Sequence, residues 1–203
     1  FPLLPVRPYY IDLRDPFATH PNLSHLTLHR KYIEKSVLKG AVGVTTACKY
    51  LADEVSDLYG VAANCVYNYP NLSSSEYHIQ TVDQFKFIDP GFFDIQKCYN
   101  VCVFTGSMPE NFYDFSSIRY KLKKLLDADE QLYILFIGPE LHNRLRFKHG
   151  RVGYRNKVSH NIAYNYQFFA NKLLLCGHLF DGYVTMKVFE YISHSKKIYL
   201  LDF

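Results

Sequence analysis

Residues Thr185 to Asp202 read TMKVFEYISHSKKIYLLD, a helix-like run followed by a strand-like one. Lys187 and Glu190 are three apart, so on a helix they share one face near its N-terminal end. Phe189 and Ile192 are available to anchor that helix in a core. After His194-Ser195-Lys196 the pattern changes to KIYLL, a short strand-like run. A helix feeding a buried strand is the repeating unit of a parallel α/β sheet. On residues alone the Lys187–Glu190 pair has two readings. It is a surface ion pair worth roughly a few tenths of a kcal/mol, or a ligand site in which the lysine meets phosphate and the carboxylate accepts from the vicinal hydroxyls of a ribose.

The same alternation runs back along the chain. Tyr9 to Leu13 reads as a strand ending in the polar loop RDPFATHPN. Leu26, Leu28, Tyr32, Ile33, Val37 and Leu38 form a helical stripe stopped by Gly40. Ala41 to Val44 reads as a strand, with Thr45-Thr46 as the cap of a helix carrying Leu51, Val55 and Leu58 and stopped by Gly60. Val61 to Tyr67 is a third strand, closed by the turn NYPN at Asn68 to Asn71. Periodicity lapses from Leu72 to about Lys97, where SSSE and Pro90-Gly91 suggest a linker with an irregular insertion. Beyond it the predicted strands are Cys98–Thr105, Leu132–Ile137, Arg151–Tyr154, Lys172–Cys176 and Lys197–Leu201. The predicted helices are about Ser116–Asp127, Leu141–Phe147, His160–Phe169 capped by Ser159, and Met186–Ser193. Two α/β blocks are therefore expected, 1–71 and 98–203, joined by 72–97.

Composition narrows the function. A chain of 203 residues with 48% apolar side chains can bury a sizeable core. Its net charge of +4 favours anionic partners, yet no dense Lys/Arg block argues for a nucleic-acid groove, and no nucleic acid is expected. Five cysteines without metal-binding spacing read as buried free thiols of a cytoplasmic protein. No apolar run approaches the ~20 residues of a membrane-spanning helix. P-loop, G-x-G-x-x-G and G-x-S-x-G patterns are absent. His25 and His29 lie one helical turn apart but lack the Glu of an H-E-x-x-H site.

Ligands of parallel sheets collect at the carboxyl ends of the strands, which singles out two further loops. Arg14 and Asp15 follow the first strand and can orient a hydroxyl-rich acceptor or supply a base; equally, Arg14 can pair with Asp12 or Asp15 to brace the loop. Gly106-Ser107 follows the strand CYNVCVFT and can bring backbone N–H groups and a hydroxyl to a phosphate, or be a plain turn.

The order of these features resembles the family-4-type glycosyltransferases of the GT-B fold. DLRDPF (Asp12 to Phe17), KYIEKSVLKGAVGVTTACKYLADEV (Lys31 to Val55), VYNYPN (Val66 to Asn71), FTGSM, LYILFIGPE and TMKVFEYISHSKKIYLLD carry the likeness. It implies an α/β fold of two Rossmann-like parallel-sheet blocks, the N-terminal one incomplete and the second lacking its final helix, so that the chain is expected to be partial or truncated. It also implies transfer of a sugar from a nucleotide-sugar donor to a glycan or lipid-linked acceptor in surface polysaccharide synthesis. Glu190 would hold the donor ribose, and Lys187 would lie near its phosphates. Gly106 and Ser107 would face the diphosphate, Gly138 would shape the nucleotide pocket, and Arg14 and Asp15 would face the acceptor. Two departures mark this chain. Position 182 is Gly, beside Asp181, where relatives carry a second Glu, and His194-Ser195-Lys196-Lys197 replaces the usual small-Gly-Lys-Pro.

No cofactor and no metal are expected, because the only D-x-D, Asp127-Ala128-Asp129, precedes a strand; a lysine with a helix dipole can neutralise a diphosphate. Peripheral contact with the anionic inner face of the cell membrane is expected from the positive charge. The same-fold alternative is a nucleotide-sugar epimerase. The alternative of another class is a non-catalytic GT-B remnant acting as a binding module.

Overall fold

The computed structural model describes residues 8–14, 27–67, 78–177 and 186–201. Asp15, the turn at Asn68–Asn71, and Asp181 with Gly182 lie outside them. Among the described residues, no helix is long and apolar enough to cross a membrane. The chain divides into two compact units, one holding the described residues up to Tyr67 and the other those from His78 onward.

The first unit is a three-stranded parallel sheet of β1 (Tyr10–Leu13), β2 (Gly43–Thr46) and β3 (Ala63–Cys65), in that order. α1 (Thr27–Gly40) and α2 (Lys49–Tyr59) supply the crossovers. Leu38, Val44, Cys48, Leu51, Val55 and Tyr59 form its core. Tyr59 donates its hydroxyl to Glu34 at 2.6 Å, joining the two helices through a buried polar contact. Gly60 ends α2 in the left-handed region, at φ 65°, as the sequence predicts. β2, however, lies two residues later than expected. Thr45 and Thr46 are strand residues, Thr46 fully buried, and Cys48 opens α2 with no side-chain cap. Register with β1 over Tyr10–Leu13 outweighs the capping preference of threonine.

The second unit is a five-stranded parallel sheet. β4 (Asn100–Thr105), β5 (Leu132–Ile137), β6 (Val152–Arg155), β7 (Lys172–Cys176) and β8 (Lys197–Leu201) lie in the order β6-β5-β4-β7-β8. This doubly wound order reverses direction between β4 and β7, the place where such sheets open a crevice. Both faces are buried. Cys102, Phe104, Ile134, Phe136 and Leu174 pack against Ile118, Leu122 and Leu126 of α5 (Phe115–Ala128) and Leu141 of α6 (Leu141–Leu145). The alternate residues Val101, Val103, Leu135, Ile137 and Leu173 pack on the opposite face with Tyr166 of α7 (His160–Phe169) and Tyr191 of α8 (Met186–Ser193).

Residues 82–98 correct the expectation of an irregular linker. They form α3 (Val82–Ile88) and α4 (Pro90–Cys98) and belong with the second unit. Thr81 and Gln84 make a reciprocal capping box at the start of α3, and Pro90 occupies the first turn of α4, where its missing N–H costs nothing. Phe85 and Phe92 are fully buried and meet edge to face at 5.7 Å. Asp89, between the helices, accepts from Arg155 Nε at 2.9 Å and from the Tyr166 hydroxyl at 2.6 Å. Two helices of seven and nine residues are too short to display a period.

Ser195, after α8, adopts φ 52° where the resemblance leads one to expect glycine. A side chain there costs about 1–2 kcal/mol, offset in part by the greater freedom of glycine in the unfolded chain. Ser195→Gly is therefore expected to stabilise the protein by about 0.5–1 kcal/mol, read as a higher urea midpoint. A lower midpoint would show that the Ser195 side chain contributes something this backbone account lacks.

Candidate functional site

The β4–β7 ladder is confined to Cys102–Val103 against Lys172–Leu173. Above it the β4 backbone takes side-chain partners instead. The buried Tyr191 hydroxyl accepts from the Thr105 N–H at 3.0 Å, which pins α8 to the end of β4. β4 then runs into Gly106, at φ 133°, a conformation that favours glycine. Gly106 donates to the Ile137 carbonyl at 2.9 Å and Gly138 to the Arg155 carbonyl at 3.1 Å, so each strand end is tied to the next. A Cβ on Gly138 would lie 1.8 Å from the Gly106 oxygen. The two glycines are in backbone contact: Gly138 has no room for a side chain, while at Gly106 the backbone conformation, and not a lack of space, favours glycine.

Over this floor stands Lys187, its stem 3.7 Å from the position a Gly106 Cβ would take. Lys187, Gly106 and Ser107 line two cavities in common. One, of about 380 Å³, continues past Gly138, Lys157 and His160. The other, of about 350 Å³, is walled by Phe104, Phe112, Tyr113 and Leu175. Among the described residues, the first has two lysines and a histidine on its wall and no carboxylate. A loop of backbone amides with cations above it, at the N-terminal end of α8, is suited to an anion.

Glu190 lies behind the lysine. It is 3% exposed, outside the lining of either cavity, and accepts from Lys187 Nζ at 2.9 Å through one oxygen. The other oxygen accepts from Gln167 Nε2 at 2.6 Å. Gln167 Nε2 also donates to Thr105 Oγ1 at 2.7 Å, and Gln167 Oε1 faces His194 Nε2 at 3.0 Å. Burial among Tyr164, Phe168 and this network pushes the His194 imidazole down to about 4, and its charge is further opposed by Lys196 and Lys187. His194 is therefore neutral near pH 7.

The structure thus gathers Gly106, Ser107, Gly138 and Lys187 at one place, with Glu190 as a buried partner of the lysine. Ile192, expected in the core, is 60% exposed; Tyr191 is the anchor. The inward face of α8 is Lys187, Glu190, Tyr191 and His194, one helical stripe composed of polar groups. Gln167, Lys157 and His160 were not singled out by sequence reasoning. A glutamine one turn after Ala163, on a helix that also buries Ala163, Tyr164 and Tyr166, was the available signal. Arg14, in the first unit, binds Asp12 and donates to the Val66 carbonyl at 3.2 Å, bracing the ends of β1 and β3. Asp127 pairs with Lys123 and Asp129 with Lys172 at the amino-terminal end of β5, away from the cavities. Of the five cysteines, Cys48, Cys102 and Cys176 are buried, while Cys98 is exposed. Among the described residues, no group of three or more His, Cys, Asp or Glu is placed to hold a metal ion.

The element order and the two parallel sheets are those of the GT-B fold. The chain is similar to the crystal structure of a glycosyltransferase from Rickettsia africae ESF-5, over 94% of its length, with a TM-score of 0.64 and 12% identity. It is likewise similar to sucrose-phosphate synthase from Thermosynechococcus elongatus over 95%, with a TM-score of 0.66 and 10% identity. A third neighbour is the α,α-trehalose 6-phosphate synthase of Burkholderia multivorans, over 95%, with a TM-score of 0.63 and 13% identity. The chain spans about half the length of these proteins, covering 50%, 49% and 51% of them respectively. No family model matches the sequence, and no curated protein matches it.

Proposed function

We propose that this chain is part of a glycosyltransferase that moves a sugar from a nucleotide-sugar donor to a glycan or lipid-linked acceptor in surface polysaccharide synthesis. The observation that supports it best is the cavity at the carboxyl ends of β4 and β5. Its wall carries Lys157, Lys187 and His160 over the Gly106–Ser107 backbone, without a carboxylate among the described residues. A nucleoside diphosphate has two requirements, neutralisation of its phosphates and a cleft for its nucleoside, and this cavity offers both. Gly106, Ser107, Gly138, Lys187 and Glu190 are assigned to the donor. Arg14 and Asp15, at the carboxyl end of β1, are assigned to the acceptor. Lysine and the N-terminal end of α8 supply the positive charge, so donor binding is metal-independent in this reading. The enzyme acts in the cytoplasm, with peripheral contact to an anionic membrane aided by its net positive charge.

Calorimetric titration of the chain with UDP, GDP and their sugar conjugates tests the donor assignment. Micromolar to millimolar binding, retained in EDTA, is expected, corresponding to about −4 to −8 kcal/mol. Absence of binding to every nucleotide, or binding abolished by EDTA, would remove the corresponding part of the reading.

A further inference from the structure

The resemblance assigns Glu190 to the donor ribose, yet each of its carboxylate oxygens already has a partner inside the protein. A carboxylate that grips two vicinal hydroxyls must turn both oxygens to the ligand. Here Oε1 accepts from Gln167 and Oε2 from Lys187, and the residue lines neither cavity. Turning it outward would leave the fully buried Gln167 amide without its carboxylate partner.

The orientation of that amide follows from its neighbours. An ionised carboxylate only accepts, so the NH2 of Gln167 faces Glu190, and its second hydrogen reaches Thr105 Oγ1. Gln167 Oε1 then faces His194, whose Nε2 must carry the proton to donate. The neutral state of His194 agrees with this, since one tautomer suffices. Every polar atom of Gln167 is used, and the chain His194–Gln167–Glu190–Lys187 ends on the lysine that both cavities share.

Taking the Lys187 cavity as the donor site proposed above, we propose that Gln167 is a positioning residue for the diphosphate. It fixes Glu190, and Glu190 serves as the counter-ion that holds Lys187 over the Gly106–Ser107 loop instead of as a ligand of the ribose. A lysine held in this way presents its ammonium without first losing the freedom of its long side chain.

The test titrates wild type, Gln167→Leu and Glu190→Gln with UDP, with 2′,3′-dideoxy-UDP and with inorganic diphosphate, each variant checked for cooperative unfolding. Both variants are expected to lose about tenfold in affinity for all three ligands alike, the scale of one hydrogen bond to a charged group. The preference for UDP over its dideoxy analogue should stay as in wild type. A purely structural role would lower the unfolding midpoint and leave the affinities of the folded fraction unchanged, which would overturn the proposal for Gln167. Loss of the ribose-hydroxyl preference in Glu190→Gln, with diphosphate binding retained, would overturn it for Glu190. If Gln167→Leu fails to fold, Glu190→Gln alone still decides, because it keeps the size and the acceptor facing Gln167. A wild type that binds diphosphate but no nucleotide would sink the donor reading while leaving the positioning role intact. A wild type that binds neither would overturn both.

Discussion

Gly138→Ala is expected to destabilise the second unit by about 3 kcal/mol, the upper range for forcing an added methyl group into a packed site. The reason is contact, not backbone strain. The new Cβ would sit 1.8 Å from the Gly106 oxygen, 2.9 Å from the Gly106 carbonyl carbon and 3.0 Å from Leu141 Cδ1. The first two are backbone atoms at the end of a neighbouring strand, so no rotamer change relieves them. The ends of β4 and β5 must separate, which strains the Gly106 N–H bond to the Ile137 carbonyl. Because the same backbone forms the floor beneath Lys187, nucleotide affinity should fall with stability. Gly150→Ala is the control, since a Cβ there meets nothing within 4 Å; it should change stability by less than about 0.5 kcal/mol. Urea unfolding of both variants checks this. A Gly138→Ala midpoint equal to that of wild type would mean that the strand ends do not approach as closely as described.

Much of the architecture is legible in the sequence because its signals are local and long enough. LYILFI between turn residues, the Ser159-capped helix and the Gly60 stop are each set by chemistry within a few residues, and each lies where it was expected. The failures have tertiary causes. β2 is placed by its register with β1, a contact more than thirty residues away, which the Thr45-Thr46 pair cannot reveal. α3 and α4 are held by Phe85 and Phe92 against Tyr166, so their apolar residues make sense only with α7 present.

The reading of α8 failed in a more informative way. Hydrophobic patterning predicts Phe189 and Ile192 as the inward set, whereas Ile192 is exposed, Phe189 only half-buried, and the buried residues are Glu190 and Tyr191, with Lys187 and His194 half-buried on the same stripe. Burying polar groups is unfavourable unless each is paired, and here each is, through Gln167 and Thr105. A stretch that breaks the hydrophobic rule and then satisfies its own polar atoms is where function is expected to reside. Of the candidate site, Gly106, Ser107, Gly138 and Lys187 were recognisable as residues after strands or at a helix start. The partners on α7 were not, because nothing local ties Gln167 to a residue twenty-three positions away.

Lys187→Met should reduce affinity for a nucleoside diphosphate by about a hundredfold, since hydrogen bonds to a charged group are worth about 1.5–3 kcal/mol and the change also removes the cation. Methionine keeps the apolar stem beside Gly106, so the loss reports the ammonium and not the packing. The same substitution leaves Glu190 buried against Gln167 with the Lys187 charge gone. Breaking a buried pair from one side costs up to about 3–5 kcal/mol; Lys187 retains 23% exposure, and solvent screening reduces the expected loss to about 1–2 kcal/mol. Binding and stability therefore fall together in the single variant, and a second change separates them. In Lys187→Met/Glu190→Gln the unpaired charge is gone, while the acceptor facing Gln167 remains. Stability should recover by about 1 kcal/mol as the interaction term of a double-mutant cycle, and affinity should not recover at all. Recovery of both would show that the lysine acts on the ligand only through the fold. Recovery of neither would show that Glu190 is not its counter-ion.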